Sequence, residues 1–161
     1  MNDILKTLDE HGFQYIQKGT LDGSMVLTNG CFDILHKGHV ECLEYAKSLG
    51  GFLTVAINDD EGIRRLKGEG RPVIALEDRM YVLATLRCVD LVVVFHGTRA
   101  TDLFRILRPS IYVKGGDYSI ESLDKGEKDA LLYENPDMRF EFFKFRTQIS
   151  TSGIIRKIKG E

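Results

Sequence analysis

TNGCFDILHKGH, residues 28–39, directly follows a short apolar run at residues 24–28. A buried strand that ends in a glycine turn and leads at once into a helix is typical of the start of a βαβ unit. Similar patterns alternate along the rest of the chain, with strands expected at 52–57, 91–95, 111–113 and 139–145 and helices at 36–49, 76–86, 101–107 and 150–159. This alternation predicts a single-domain α/β fold in which five parallel strands form one doubly wound sheet.

The composition is that of an ordinary globular domain. Hydrophobic residues make up 43% of the 161 residues, and the formal net charge is −2, so no overall basic field points to nucleic acid or to an anionic membrane. Cys31, Cys42 and Cys88 form no disulfide or zinc pattern, which favours a reducing compartment. No stretch has the character of a signal peptide or a membrane span. We therefore expect a cytoplasmic protein without nucleic-acid or membrane partners, with one domain over residues 24–161 and an N-terminal extension over 1–23.

The carboxyl ends of the predicted strands are the expected position of a ligand, because open parallel sheets bind ligands outside these ends. Four segments that directly follow strands lie at this edge, namely residues 29–39, 58–71, 114–118 and 146–152. Most of the chain's clusters of glycine, histidine and cationic side chains fall within them. We predict that the functional site is built from these four segments.

His36 and His39 are three residues apart at the start of the first predicted helix, so they share one helix face. The free N–H groups and the dipole of a first helical turn attract anions. Gly38 lies between the two histidines and has no side chain, so a phosphate could approach the backbone closely. Two imidazoles can also donate hydrogen bonds to phosphate oxygens. The pattern favours a phosphate site.

Two other interpretations of the histidine pair remain open. The pair could bind zinc, but zinc needs further ligands at suitable spacing, and Cys31 and Cys42 form no familiar pattern with it. The pair could also serve only in packing, although two imidazoles beside Lys37 are poor core material.

The four segments together resemble a known family. TNGCFD followed by HKGH resembles the HxGH nucleotidyltransferases, a class of cytidylyltransferases and adenylyltransferases with a Rossmann-like fold. The motifs LKG at 66–68, RPV at 71–73 and KGGDY at 114–118 resemble more specifically the bacterial heptose 1-phosphate adenylyltransferases. ISTS at 149–152 resembles a signature of the same superfamily, with one residue fewer in the loop before it. The resemblance extends over residues 26–158.

The resemblance implies a reaction and a set of site residues. A nucleoside monophosphate would pass from ATP, or from CTP, to a small sugar phosphate with release of pyrophosphate, and Mg²⁺ would be held mainly by the triphosphate. The implied catalytic residues are His36, His39, Lys67 and Arg146. The implied nucleotide-binding residues are Thr28, Asn29, Gly30, Cys31, Phe32, Gly38, Asn58, Arg79, Ser150, Thr151 and Ser152. The implied acceptor-binding residues are Asp33, Arg71, Lys114, Gly115, Gly116 and Asp117. Homodimer formation is compatible with the resemblance.

Several of these residues also have simpler explanations. The basic segment 64–73 has the character of a solvated loop as well as of a flexible arm that closes over phosphates. Arg79 could reach a phosphate or could pair with Glu77 or Asp78.

The last two segments leave similar alternatives. Asp117 could only close the turn after its strand. Ser150 is a good N-cap for the last helix, and capping alone would explain its hydroxyl. At the level of function, the alternatives are a CTP-dependent cytidylyltransferase for a glycerol or amino-alcohol phosphate and a non-catalytic nucleotide sensor on the same fold.

Overall fold

The structure is a computed structural model in which residues 2–21, 23–146 and 149–160 are described. Within these ranges a six-stranded sheet has the order β1-β4-β3-β2-β5-β6. Its strands are β1 (Tyr15–Gln17), β2 (Met25–Gly30), β3 (Phe52–Asn58), β4 (Leu91–Phe95), β5 (Ile111–Gly115) and β6 (Arg139–Phe143). The helices are α1 (Asn2–Glu10), α2 (Lys37–Ser48), α3 (Asp60–Lys67), α4 (Leu76–Thr85), α5 (Thr101–Leu107), α6 (Lys125–Glu134) and α7 (Thr151–Lys159).

The predicted α/β class with a doubly wound sheet is confirmed. The five predicted strands are present, and they pair in parallel from β4 through β3, β2 and β5 to β6. The sheet has one further strand, β1, which pairs with β4 in the antiparallel direction. The sequence did not indicate β1 because it has three half-buried residues and hence no periodic pattern.

The core lies on both faces of the sheet, as expected where helices cover a parallel sheet on both sides. Met25 and Leu27 of β2 pack in one cluster, with Leu8 of α1 and Phe104 of α5. Val26, between them in the chain, packs on the opposite face in a second cluster that contains residues of α2 and α4. All three β2 side chains are therefore buried, which explains why the strand is an uninterrupted apolar run.

The N-terminal residues are part of the same packed unit. Leu8 is fully buried in the first cluster, and Tyr15 and Ile16 pair with Val93 and Val92 of β4. The proposed N-terminal extension thus adds a helix and an edge strand to the sheet. The domain boundary at residue 23 remains a prediction.

Two helices that the sequence pattern did not indicate, α3 and α6, border the carboxyl edge. Arg64 to Lys67 form the end of α3 rather than the start of a loop, because the side chain of Asp59 caps this helix by accepting a hydrogen bond from Gly62 N, 2.6 Å away. Gly62 is required here, since a β-carbon would collide with the carbonyl of Gly97. Both helices are short and contain glycine near the start, which weakens their sequence signal.

The topology creates a crevice beside β2. From β2 the chain proceeds to β3 and then β4 on one side, and it later returns to place β5 on the other side of β2. This reversal of strand order is the position where open α/β sheets bind ligands. Asn29 near the end of β2 and Lys114 near the end of β5 flank it.

No helix in the described ranges is long and apolar enough to cross a bilayer.

Candidate active site

A cavity of about 580 Å³ opens at the carboxyl ends of the strands, at the position that the topology predicts. It brings together residues from all four segments that the sequence singled out. The predicted site residues that line it are Thr28, Asn29, Gly30, Cys31, Phe32, Asp33, His39, Asn58, Lys67, Arg71, Lys114, Gly115, Ser150, Thr151 and Ser152. A cavity of this size is large enough for a nucleotide-sized ligand.

The histidine pair lies where the chain enters α2. His36 is the N-cap residue of α2, and its extended backbone precedes the first helical turn. The two imidazole rings stack with 3.8 Å between their centroids, and Phe32 packs against His39 with 5.2 Å between the ring centroids. His39 lines the cavity, whereas His36 is not among its lining residues. His36 therefore contacts the site through His39.

Both histidines are held in the neutral form at neutral pH. Burial lowers the pKa of His36 below its ordinary value. Burial, reinforced by the neighbouring His36, lowers the pKa of His39 to about 4. A neutral imidazole donates one hydrogen bond and accepts one. The Nδ1 atoms of both rings are buried and have no hydrogen-bond partner among the described residues.

A polar network crosses the crevice between β2 and β5. The side-chain carbonyl of Asn29 accepts hydrogen bonds from Tyr112 Oη and Lys114 Nζ, each 2.6 Å away. The side-chain amide of Asn29 donates to Glu127 Oε1 at 3.1 Å. Glu127 belongs to α6, and neither it nor its helix was predicted from the sequence. The same carboxylate oxygen accepts a hydrogen bond from Ala100 N before α5.

Lys114 brings a half-buried positive charge to the cavity. Burial lowers the pKa of its ammonium, and Lys67 also acts in this direction, whereas Glu127 raises it. The Nζ atom lies 5.5 Å from the centroid of the Tyr118 ring and 6.0 Å from that of Tyr112. A cation beside aromatic faces and inside a cavity is well placed to bind an anion.

Asp33 holds the loop between α3 and α4 against the cavity. Its fully buried carboxylate accepts hydrogen bonds from Val73 N at 2.8 Å and Ile74 N at 2.9 Å. It also forms an ion pair with Arg71 Nε at 2.7 Å. The charges of Asp33 and Arg71, the two predicted acceptor-binding residues, are therefore paired with each other. Their visible role is to fix the loop that follows Lys67.

The basic segment at the end of α3 divides between two faces. Lys67 lines the cavity, whereas Arg64 and Arg65 turn away from it and pair with Glu61 on the same helix. Arg64 and Arg65 lie three and four residues after Glu61, which is the spacing at which helical side chains can pair. Lys67 is the member of this cluster that is available to a ligand.

The start of α7 forms another part of the cavity wall. Ser150 is the N-cap, and its hydroxyl accepts a hydrogen bond from Gly153 N at 3.1 Å, as the sequence suggested. Ser150, Thr151 and Ser152 all line the cavity, so free N–H groups of the helix start are near it. The preceding Thr147 and Gln148 lie outside the described residues.

Arg79 is placed differently from both sequence alternatives. Its side chain is fully buried and donates hydrogen bonds to the carbonyl oxygens of Cys31, Asn58 and Ile74. Its charge is paired with Asp60 at 2.7 Å, rather than with Glu77 or Asp78. Because these contacts occupy the guanidinium, Arg79 stabilises the backbone next to the cavity. It is not among the residues that line the cavity.

Four further predicted residues lie outside the cavity lining. Arg146 is exposed and lines a smaller cavity with Glu41, Glu44 and Phe143. Gly38 is buried within α2. Gly116 and Asp117 follow β5 beyond the last cavity residue of that strand, and Asp117 is exposed.

Sequence reasoning missed several residues that line the cavity. They come mainly from the β4–α5 loop, the loop before α6, α6 itself and the chain after β6, and they include Thr98, Tyr118, Ser122, Asp124, Glu127 and Phe145. Only Tyr118 carried a signal, as the last residue of the KGGDY motif. Thr98, Ser122, Asp124 and Glu127 lie in connections or in α6, which the sequence pattern did not indicate, and Phe145 was placed at the end of the predicted strand 139–145. In the described ranges, no group of three or more His, Cys, Asp or Glu residues could hold a metal ion, so the zinc interpretation of the histidine pair gains no support.

Comparison with known proteins identifies similar chains. A family model described as cytidylyltransferase-like matches residues 27–157. The protein named "Bifunctional protein HldE" from Geobacter sulfurreducens is 46% identical over 134 residues, which are 83% of this chain and 26% of that protein. The proteins of the same name from Helicobacter pylori strain P12 and Citrifermentans bemidjiense are 40% and 42% identical over 99% and 96% of this chain. The chain spans 26–31% of the length of these relatives.

A solved structure shows the same fold. The lipopolysaccharide core biosynthesis protein from Thermoplasma volcanium GSS1 superimposes with a TM-score of 0.62 at 23% sequence identity, covering 79% of this chain and 99% of that one. At this identity the similarity concerns the fold alone.

Proposed function

The chain belongs to the cytidylyltransferase-like family of nucleotidyltransferases, and we propose that it transfers AMP from ATP to a heptose 1-phosphate with release of pyrophosphate. The observation that carries the proposal is the cavity at the switch point, into which His39, Lys67, Lys114 and the start of α7 all project. These groups are hydrogen-bond donors or cations, and the substrates proposed for them carry four phosphate groups in total.

The chemistry requires little from the protein beyond position and charge. A phosphate monoester is largely a dianion at neutral pH, because its second pKa is about 6. Its oxygen can therefore attack the α-phosphorus without a general base. Phosphoryl and nucleotidyl transfer depend mainly on alignment of the two substrates and on stabilisation of the charge that develops at the phosphate oxygens.

We propose one role for each of these groups. The neutral imidazole of His39 donates a hydrogen bond to an oxygen of the α-phosphate, and the stacked His36 holds the ring in place. Lys67 and the N–H groups at the start of α7 bind the β- and γ-phosphates that leave as pyrophosphate. Lys114 lies across the crevice and binds the phosphate of the acceptor.

Mg²⁺ enters this proposal with the nucleotide, as MgATP. The described residues offer no group of three or more potential ligands that would hold the ion on their own. Mg²⁺ commonly keeps several waters and binds through substrate phosphates. The ion would neutralise charge on the triphosphate, and every other contact in the proposal is made by side chains and N–H groups of this chain.

A sugar acceptor is supported by polar side chains in the cavity wall. Ser122 and Asp124 line the cavity, and hydroxyl and carboxylate groups suit the hydroxyls of a sugar. The choice of heptose rests on the resemblance of the LKG, RPV and KGGDY motifs and on the HldE relatives. The choice of ATP over CTP rests on the same resemblance.

The test is pyrophosphate release with a panel of substrates. Heptose 1-phosphate, glycerol 3-phosphate and ethanolamine phosphate are each paired with ATP, CTP and GTP, and kcat/KM is measured for every pair. We expect the highest value for ATP with heptose 1-phosphate. A preference for CTP with a non-sugar acceptor would overturn the substrate assignment. Binding of a nucleotide without pyrophosphate release for any pair would indicate a sensor.

A further inference from the structure

Glu127 is a buried carboxylate that the roles above leave unused. It is 8% exposed and lies near the start of α6, where the side chain of Asp124 caps the helix by accepting a hydrogen bond from Glu127 N at 3.1 Å. Its own Oε1 accepts hydrogen bonds from Asn29 Nδ2 and Ala100 N. Burial of a carboxylate carries a desolvation cost that is offset only by such partners. Its position therefore calls for an explanation beyond packing.

The carboxylate fixes the orientation of the Asn29 side chain. An ionised carboxylate only accepts hydrogen bonds, so the NH₂ group of Asn29 must face Glu127 and its carbonyl oxygen must face away. That oxygen then accepts from both Tyr112 Oη and Lys114 Nζ. If the Asn29 amide were rotated, its oxygen would face the Glu127 carboxylate, so two acceptors would meet. On the other side, its NH₂ group would face Tyr112 Oη and Lys114 Nζ, so donors would meet. Glu127 thus determines, through Asn29, where the Lys114 ammonium group is held.

Glu127 also provides the charge that supports the ammonium form of Lys114. Burial lowers the pKa of Lys114, and Lys67 on α3 acts in the same direction. The opposing groups are Glu127 on α6, Cys31 after β2 and Cys42 on α2. The pKa of the Cys31 thiol is raised, and that of Cys42 is raised to about 12. Both thiols are therefore uncharged at neutral pH, and Glu127 is the one carboxylate in this set.

We propose that Glu127 is a positioning residue which, through the side chain of Asn29, holds the Lys114 ammonium group against the phosphate of the acceptor. The inference rests on the proposed function in assigning the acceptor phosphate to Lys114. It adds a residue from α6, 98 positions from Asn29 in the chain, that touches no reacting group. The substitution that tests it is Glu127→Gln, which removes the charge but keeps an oxygen that can accept from Asn29 and Ala100.

The first measurement is kinetic. In Glu127→Gln the KM for heptose 1-phosphate should rise about ten- to a hundredfold, because a displaced or uncharged Lys114 loses its charged hydrogen bond to the acceptor phosphate, while the KM for ATP stays near the wild-type value. Because the ammonium is lost at lower pH, the alkaline limb of kcat/KM should shift to lower pH. The matched control is Asp129→Asn, which removes an exposed carboxylate from the same helix and should change neither quantity. Equal increases in both KM values would mean a merely structural role and would overturn the proposal.

The second measurement is independent of the acceptor. Titration of the Lys114 side chain by NMR, with the signal assigned from its loss in Lys114→Arg, should give a pKa about one pH unit lower in Glu127→Gln than in wild type. An unchanged value contradicts the proposal. If wild-type protein releases no pyrophosphate with heptose 1-phosphate, the proposed function fails while this titration still tests the link from Glu127 to Lys114.

The third measurement examines the path through Asn29. In the Asn29→Ala background, Glu127→Gln should raise the KM for the acceptor less than it does in the wild-type background, because two residues that share one contact are not additive. Full additivity would show that Glu127 does not act through Asn29. Thermal unfolding of each variant establishes that the compared proteins are folded.

Discussion

The imidazole rings of His36 and His39 lie nearly parallel, 19° apart in plane and 3.8 Å apart between centroids, and a charge on His36 disfavours protonation of His39. One of them, His39, faces the cavity, and its partner is the N-cap residue of α2. A pair of this kind presents a rigid neutral donor to a ligand. The position of the donor is set before the ligand binds, which is the condition for electrostatic stabilisation of a transition state.

His39→Ala should fold normally and lose most of its turnover. Removal of one preorganised donor to a developing charge typically lowers kcat by about 10²–10³. The measurement is steady-state pyrophosphate release, with circular dichroism as the check on folding. His11→Ala is the matched control, because His11 is exposed at the end of the N-terminal helix. A kcat near the wild-type value in His39→Ala would refute the catalytic assignment.

The free energy of unfolding should depend on pH through His39. Its pKa is about 4 in the folded protein and about 6.5 as a free side chain, so the unfolded chain binds more protons between these values. The contribution of His39 is therefore fully present above pH 6.5 and is lost as the pH falls towards 4. Chemical denaturation at pH 8, 6.5 and 5 should show a smaller loss of stability for His39→Gln than for wild type between pH 6.5 and 5. The two proteins should behave alike between pH 8 and 6.5, and identical slopes throughout would contradict the assignment.

Lys67→Ala should weaken binding of ATP more than binding of AMP. Lys67 faces the cavity at the end of α3, and AMP lacks the β- and γ-phosphates that it is proposed to bind. Loss of a hydrogen bond to a charged group corresponds to about tenfold or more in affinity. Isothermal titration calorimetry with both nucleotides measures the difference, and Arg65→Ala, a cation paired with Glu61 on the same helix, is the control. Equal weakening of the two nucleotides would exclude a role at the triphosphate tail.

Arg79→Ala should destabilise the protein by several kcal/mol, because it leaves the carbonyl oxygens of Cys31, Asn58 and Ile74 without their donor, and each buried unsatisfied polar group costs about 1–3 kcal/mol. The guanidinium supports the carbonyl oxygens of Cys31 and Asn58 at the ends of two adjacent strands. Urea denaturation gives the change in the free energy of unfolding. Arg87→Ala, at an exposed position, should stay within about 0.5 kcal/mol of wild type. A small effect of Arg79→Ala would instead return Arg79 to the candidates for phosphate binding.

The sheet and the position of the cavity could be predicted from the sequence, because buried parallel strands are uninterrupted apolar runs and ligands bind at their carboxyl ends. β2 and β3 illustrate this, since all but one of their thirteen residues are buried. The motifs at the strand ends then identified His39, Lys67, Lys114 and the α7 start as neighbours in space, although they are far apart in the chain.

The orientation of individual side chains could not be predicted in this way. Asp33 and Arg71 were both assigned to the acceptor, but they form a buried ion pair with each other. Arg79 was given two alternatives, and its partner proved to be Asp60. Such pairings depend on contacts between loops, for which residue spacing gives no information. Glu127 was missed for a related reason, because α6 begins with polar residues and a glycine and has no apolar stripe to reveal it.

The three-residue strand β1 has a consequence for anyone who shortens this protein. Tyr15–Gln17 pair with the edge of β4 that would otherwise have unpaired hydrogen-bonding groups. The residues of β4, Leu91–Phe95, are all buried and apolar. A version that began at the predicted boundary, residue 24, would leave a bare row of amide and carbonyl groups beside a valine-rich surface. Exposed strands of this kind recruit other chains and nucleate aggregates. Residues 15–17 thus protect the protein against self-association. Expression of a protein that begins at residue 24 should yield insoluble material.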